Sequence, residues 1–214
     1  MIQQPLCGPF QDAPFYLQGQ MDIHPKSRWH IQDFTDSNGG FFPSGPNTAD
    51  RQISNLEPWD NTRRDMLILF LRTIVTNAIP GDFAEIGVYQ GSTARLIHQY
   101  VPERELHLFD TFEGFTDRSV VAEKDNTDYT IVGSHFSDTS IEKVRTAIGS
   151  TNDNVKFHQG YFPDSIPPGF DERKFAFVHL DADLYEPTFA GLTYFYDRMS
   201  PNGLFVAHDY NAWP

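Results

Sequence analysis

Asp82-Phe83-Ala84-Glu85-Ile86-Gly87-Val88-Tyr89-Gln90-Gly91 (residues 82–91) decides the fold. A short, mostly apolar run ends in a glycine turn and leads into residues 91–101, which read as a helix. That is a buried strand handing over to a helix. Upstream, Asp60 or Asn61 can cap a helix that carries Leu67, Phe70, Leu71, Ile74 and Ala78 at helical spacing, stopped by Pro80-Gly81. Downstream the alternation repeats. Residues 105–110 (ELHLFD) read as a strand, 111–136 as loop and 137–148 as a helix. Residues 154–160 (NVKFHQG) and 175–181 (FAFVHLD) read as further strands. Residues 186–199 form an amphipathic helix with Phe189, Leu192, Tyr196 and Met199 three and four apart, Pro201-Asn202-Gly203 turns the chain, and 204–209 (LFVAHD) is a fifth strand. Strands alternating with helices, most of them near-continuous apolar runs, predict an α/β fold: a mostly parallel, doubly wound sheet with helices on both faces.

Composition narrows the function. The chain has 214 residues, 29 acidic and 16 basic, for a formal charge of −13. A dedicated nucleic-acid binder needs a basic stripe, and an anionic membrane surface attracts basic segments, so both partners are excluded. One cysteine, Cys7, rules out an intrachain disulfide and zinc sites built from several cysteines. The longest apolar run, Met66 to Leu71, is far short of a membrane span, and the N-terminus does not read as a signal peptide. These features predict a soluble, cytoplasmic protein. Residues 1–59 are rich in Pro, Gly, Asn and Asp with scattered aromatics, and read as an irregular arm or lid before one domain at 60–214.

In a parallel sheet, ligands gather at the carboxyl ends of the strands. Those ends carry Glu85-x-Gly87-x-x-x-Gly91, Asp110, Asp181 with Asp183, and His208-Asp209. The glycines permit a sharp turn and close approach of a ligand, and serve a plain strand-turn-helix equally well. Glu85 stands where a dinucleotide fingerprint has its first glycine; it would repel a pyrophosphate and suit a cation such as the amino group of an amino-acid moiety. Asp110 can accept hydrogen bonds from both hydroxyls of a ribose, or cap a helix. Asp181, Asp183 and Asp209, on neighbouring strands, would repel one another unless a cation joins them, and an oxygen-rich set suits magnesium, manganese or calcium. An imidazole from His208 would tilt the site toward a transition metal; His208 also fits a packed core position. His107 and His179 read as packing residues.

Four stretches, GDFAEIGVYQGSTARLI, LHLFDTFEGF, HQGYFPDSIP and FVHLDADLYEPTFAGLTYFYDRMSPNGLFVAHDY, resemble the macrocin O-methyltransferase (TylF-type) family in order and spacing over about residues 58–210. The resemblance implies a Rossmann-like class I methyltransferase fold that uses S-adenosylmethionine and a divalent metal, magnesium, to methylate sugar hydroxyls in secondary metabolism. It places the cofactor's amino-acid end at Glu85, Gly87 and Gly91, with Ser92 and Thr93 opening the helix beside it. Asp110 would hold the ribose, flanked by Thr111 and Phe112. The adenine would lie near Gly160, Tyr161 and Phe162, with Asp164 and Ser165 close by. Metal carboxylates map onto Asp181 and Asp209, with His208 where the family commonly has Asp. Family members continue with two further strands, so the resemblance also implies a domain whose C-terminal strands are missing from these residues; an exposed edge would favour a homo-oligomer.

The implied reaction is direct displacement, in which a hydroxyl of a sugar or other polyol small molecule attacks the sulfonium methyl and Asp181 or Asp183 takes the proton. Two other readings stand beside it. One is a methyltransferase-like binding module without catalysis. The other is a metal-dependent nucleotide-sugar transferase, against which Glu85 speaks.

Overall fold

The computed structural model describes residues 61–123, 133–149 and 153–208. The arm assigned to 1–59, and Asp209 with the residues after it, lie outside the described residues. The chain divides into two units, Met1–Leu69 and Phe70–Pro214. Helix α1 spans Asn61–Thr76. In the second unit, its Leu71 and Ile74 are buried.

Then follow β1 (Asp82–Ile86), α2 (Ser92–Tyr100), β2 (Leu106–Asp110), α3 (Asp117–Glu123), α4 (Ile141–Ile148), β3 (Val155–Gln159), a 3-10 turn (Phe170–Glu172), β4 (Phe175–Leu180), α5 (Tyr185–Tyr196) and β5 (Met199–Ala207). The strands form one sheet in the order β3-β2-β1-β4-β5. All four pairings are parallel. The chain winds outward from β1 to β3, then crosses back to start again at β4. The carboxyl ends of β1 and β4 therefore face a topological switch point, where such sheets leave a crevice.

Side-chain alternation supplies both faces of the sheet with core. One set, Ala84, Ile86, Phe109, Val178 and Leu180, packs with Phe162, Phe170, Phe175 and Phe195. The other includes Phe83 and Phe177, whose rings meet edge to face at 5.8 Å. Helix α5 comes down on the first set through Gly191, where a Cβ would stand 2.7 Å from Ile86 Cδ1 and Leu180 Cδ2. Helix α2 packs with α4, and α3 with α5. Ser140 caps α4 by accepting from Lys143 N at 3.2 Å, and Gly149 ends it in the left-handed conformation at φ 67°.

Three expectations are corrected. The segment 111–136, read as loop, contains helix α3; Asp117–Glu123 has no apolar period of its own and is held by packing on α5. The Phe189, Leu192 and Tyr196 stripe faces outward, at 58%, 43% and 77% exposure, while Pro187, Gly191 and Phe195 face the sheet. The last strand begins at Met199: Pro201-Asn202-Gly203 does not precede it but makes an irregularity inside it, where the register with β4 jumps from Phe175↔Met199 to Phe177↔Leu204 and Asn202 takes φ 65°.

Candidate functional site

Where the strands end, a cleft opens. It is lined by Gly87 and Tyr89 after β1, by Asp110, Thr111, Gly114 and Phe115 at the end of β2, and by Gly160, Tyr161 and Phe162 after β3. Asp181, Ala182, Asp183 and Leu184 after β4 complete the floor. Ser119, Phe136, Thr139 and Pro187 close the sides. That is the apolar character of a small-molecule site. Among the described residues, the lining carries three aspartates and no lysine, arginine or histidine.

Gly87 sets the shape of the floor. At φ 82°, a Cβ there would fall 1.9 Å from the carbonyl oxygen of Asp181, so β1 and β4 close on each other only because position 87 has no side chain. Asp181 N donates to Ile86 O at 2.8 Å in the same approach.

Asp110 organises the loop beyond. Its Oδ2 accepts from Val88 N at 2.7 Å and Tyr89 N at 3.0 Å, and its Oδ1 from Phe112 N at 2.7 Å. A carboxylate has about four acceptor positions, and three here hold backbone. Thr111 Oγ1 stands 3.4 Å from Oδ1 but donates to Gly114 O at 2.6 Å, which leaves one position on Oδ1 for a ligand hydroxyl.

The expected residues divide in two. Gly87, Asp110, Thr111, Gly160, Tyr161, Phe162, Asp181 and Asp183 line the cleft together. Glu85, Gly91, Ser92, Thr93, Phe112, Asp164 and Ser165 do not. Glu85 is 1% exposed and meets His179 Nδ1 at 3.0 Å, its partner in register on β4. Gly91 is pressed against Val144 of α4. Phe112 is buried and packs with Phe157. Ser165 Oγ is buried beside Gly160 and has no hydrogen-bond partner among the described residues.

Asp164 belongs to a network the sequence reading missed. Arg118 of α3 pairs with Asp164 and, at 2.8 Å, with Glu186 of α5, while its guanidinium lies 4.1 Å above the Tyr161 ring. Tyr161 Oη donates to Glu186 Oε2 at 2.9 Å. Burial, and then that hydrogen bond, pushes the phenol above its usual range, and Arg118 followed by Tyr161 holds the Glu186 carboxyl below its own. Glu123, buried at the end of α3, accepts from Tyr185 N at 2.5 Å. Ser119, Phe115, Phe136, Tyr89 and Pro187 were also missed; single residues in loops and in the first turn of a helix carry no period to flag them.

For a metal, Asp181 Oδ1 and His208 Nδ1 lie 2.8 Å apart where β4 and β5 end. The third expected ligand, Asp209, lies outside the described residues. Among the described residues, three potential ligand groups converge elsewhere, at Asp82, Glu105 and His107, at the amino ends of β1 and β2. Arg173 already supplies the cation there, at 2.6 Å from Asp82 and 3.4 Å from Glu105. Burial opposes the charge on Asp82, but hydrogen bonds from His107 and Arg173 outweigh it and hold the carboxyl below its usual range. His107, expected to pack, also meets His158 at 3.0 Å, and burial with the neighbouring His107 and Arg173 lowers His158 to about 4. This is an ion-pair cluster at the opposite end of the strands from the cleft.

The profile of the macrocin-O-methyltransferase (TylF) family matches residues 59–214. The chain belongs to this family. A relative from Streptomyces olivaceus, 8-demethyl-8-(2,3-dimethoxy-alpha-L-rhamnosyl)-tetracenomycin-C 4'-O-methyltransferase, is 30% identical over 159 residues, 69% of this chain and 60% of its own. Mycinamicin III 3''-O-methyltransferase from Micromonospora griseorubida is 30% identical over 151 residues, 65% of this chain and 59% of its own. The chain thus spans about 60% of the length of these curated relatives. The O-methyltransferase NovP shares the fold, with a TM-score of 0.60 at 21% identity, over 93% of this chain and 85% of that one. No described helix of this TylF-family chain is long and apolar enough to cross a membrane.

Proposed function

We propose that the chain is an S-adenosylmethionine-dependent O-methyltransferase acting on a hydroxyl of a sugar or other polyol carried by a small natural product. The observation that carries the reading is the cleft at the switch point, apolar-walled and lined by three aspartates among the described residues. A phosphorylated nucleotide would be repelled there, whereas a nucleoside with a cationic amino-acid tail matches the charge. The family membership and the curated relatives support the same class.

The residues fit the cofactor. The remaining acceptor position of Asp110 suits a ribose hydroxyl. Gly160, Tyr161 and Phe162 offer backbone and rings to the base, and Ser165 Oγ is an orphan polar atom beside them. Gly87 leaves room for the amino-acid end. Glu85 lies beneath the floor against His179, with Gly91, Ser92 and Thr93 fixing the helix start and Thr111, Phe112 and Asp164 the loops around it. Residues fit a divalent metal such as magnesium less completely: Asp181 and His208 converge, and Asp209 is assigned as the third ligand. Bound S-adenosylmethionine supplies an electrophilic methyl and a metal would lower the pKa of the acceptor hydroxyl.

This chain's residues then do three things. The loops position the acceptor oxygen in line with the leaving sulfur, which supplies most of the rate. Asp183 lines the cleft on a left-handed backbone at φ 58°, which an aspartate tolerates. Asp183 or Asp181 accepts the hydroxyl proton as the oxygen–methyl bond forms and the sulfur–methyl bond breaks, its electrons remaining on sulfur.

Isothermal calorimetry with S-adenosylmethionine, followed by methyl transfer from labelled cofactor to a panel of glycosylated natural products, tests the reading. Saturable binding and label on a sugar hydroxyl are expected. Absence of binding by the folded protein overturns it. Transfer that persists unchanged in a chelator overturns the metal assignment alone.

A further inference from the structure

Helix α5 carries apolar side chains on two faces, and the sheet covers one. Pro187, Gly191 and Phe195 are buried toward the sheet. Tyr185, Phe189, Leu192 and Tyr196 face away from it, Tyr185 as exposed as Phe189 at 58%. At about 100° per residue these four fall within about 60° of one another and form one stripe about 16 Å long. The Tyr185 and Phe189 rings are stacked, with centroids 5.9 Å apart and planes at 9°. Glu123 fixes the start of the stripe by accepting from Tyr185 N at 2.5 Å. None of the four side chains is charged. Exposed rings add nothing to folding, and a continuous stripe of them marks a contact surface.

The spacing names the occupant. Intervals of four, three and four residues are those of the seam along which two helices pair, so the stripe fits a helix. The intervals read the same from either end. So does the chemistry: tyrosine at both ends, phenylalanine and leucine between. An isologous contact requires that symmetry, because a residue that touches a second one must be touched by it in turn. With two copies antiparallel, Tyr185 meets Tyr196 of the other copy and Phe189 meets Leu192. The centre is then wholly apolar and the phenol hydroxyls lie at the rim, as in other protein interfaces.

Charge and area agree with a second copy. Two chains of charge −13 repel, which favours contact through a neutral face. Ionic groups beside α5 are already paired, Arg118 with Asp164 and Glu186, and Arg198 with Asp171. A parallel pair would bring Glu186 of both copies together. An antiparallel pair sets that end against the one holding Lys174 and Arg198. At about 200 Å2 per ring, the exposed part of the stripe is about 450 Å2 per copy. A pair covers about 900 Å2, and the flanking Thr188 and Thr193 bring it to the roughly 1,000 Å2 of a small specific interface. We propose that α5 is the pairing surface of a two-fold dimer of this chain, antiparallel and centred between Phe189 and Leu192. The pairing does not depend on the reaction assigned to the cleft.

Sedimentation equilibrium of the full chain across the micromolar range tests this. An interface of this size predicts a reversible monomer–dimer equilibrium with a micromolar Kd. Phe189→Asp puts a carboxylate at the centre and Leu192→Lys an ammonium. Each alone is expected to weaken association at least about 30-fold. Both positions are exposed, so each Tm should stay within about 2 °C of dilute wild type. Mixed together, the two variants set opposite charges against each other across the axis and should associate. Wild-type chain that stays single throughout overturns the proposal, whatever else covers the stripe. A dimer that survives both substitutions overturns it, and so does a mixture that stays monomeric. If Phe189→Asp does not fold, Tyr196→Glu at the rim is expected to weaken association by about 5-fold or more, and an unweakened dimer overturns the pairing surface.

Discussion

Replacing Asp110 by Asn changes one atom and removes the charge that three backbone amides share. The amides of Val88 and Tyr89 converge on Oδ2 and that of Phe112 on Oδ1, at 2.7, 3.0 and 2.7 Å. An asparagine has one acceptor oxygen. If it faces Val88 and Tyr89, its NH2 group stands against Phe112 N, donor to donor, and the Phe112 amide is unsatisfied at a cost of about 1–3 kcal/mol. The two remaining bonds become neutral and lose roughly half their strength. The sum is about 2–4 kcal/mol, a drop of about 5–15 °C in Tm for a chain of this size. Differential scanning calorimetry of wild type and Asp110→Asn measures it. Hydrogen exchange adds local resolution: the Val88, Tyr89 and Phe112 amides should exchange at least about tenfold faster in the variant, since 1.4 kcal/mol is tenfold in an opening equilibrium. A Tm shift under about 2 °C with unchanged exchange at those amides would refute the argument that this carboxylate builds the cleft wall.

Gly87→Ala should cost well over 3 kcal/mol or prevent folding, because its Cβ meets the Asp181 carbonyl at 1.9 Å. Gly169→Ala, at a similar φ of 77° with nothing within 4 Å, should cost only about 1 kcal/mol, and equal urea midpoints for the two would count against the contact. His158 binds its proton only near pH 4 when folded against 6.5 when free, so its contribution is complete above pH 6.5 and is lost as pH falls toward 4. His158→Phe should therefore flatten the rise in urea midpoint between pH 4.5 and 7, an effect of up to about 3 kcal/mol; an unchanged slope would place the acid sensitivity elsewhere. Arg118→Ala should lower stability by about 1 kcal/mol or less, since Arg118 and Asp164 are largely exposed, and a Tm drop above about 5 °C would contradict that.

The sheet was legible because its central strands are buried on both faces. β4 is apolar but for His179, β1 buries four of its five residues, and the turn residues that end them are glycine and aspartate. The site's floor followed from the same logic, since strand ends in a parallel sheet point to one edge. Burial partners were not legible. Glu85 reads as a strand-end acid, yet its register partner His179 takes it into the interior. Helix α5 carries aromatics on every side, so spacing alone selected the Phe189 stripe, and only the fit of Gly191 against Ile86 and Leu180 shows which side is inward. Helix α3 and the Arg118 network depend on contacts between residues 46 and 68 positions apart, which no local pattern encodes.

The contact between Gly87 and the Asp181 carbonyl also bears on how this chain could be adapted. No side chain can be added at position 87, and Gly114, where a Cβ would stand 2.5 Å from the carbonyl oxygen of His135, is closed in the same way. Variation in what the cleft accepts is therefore to be sought at the side chains that close its sides, Ser119, Phe136, Thr139 and Pro187.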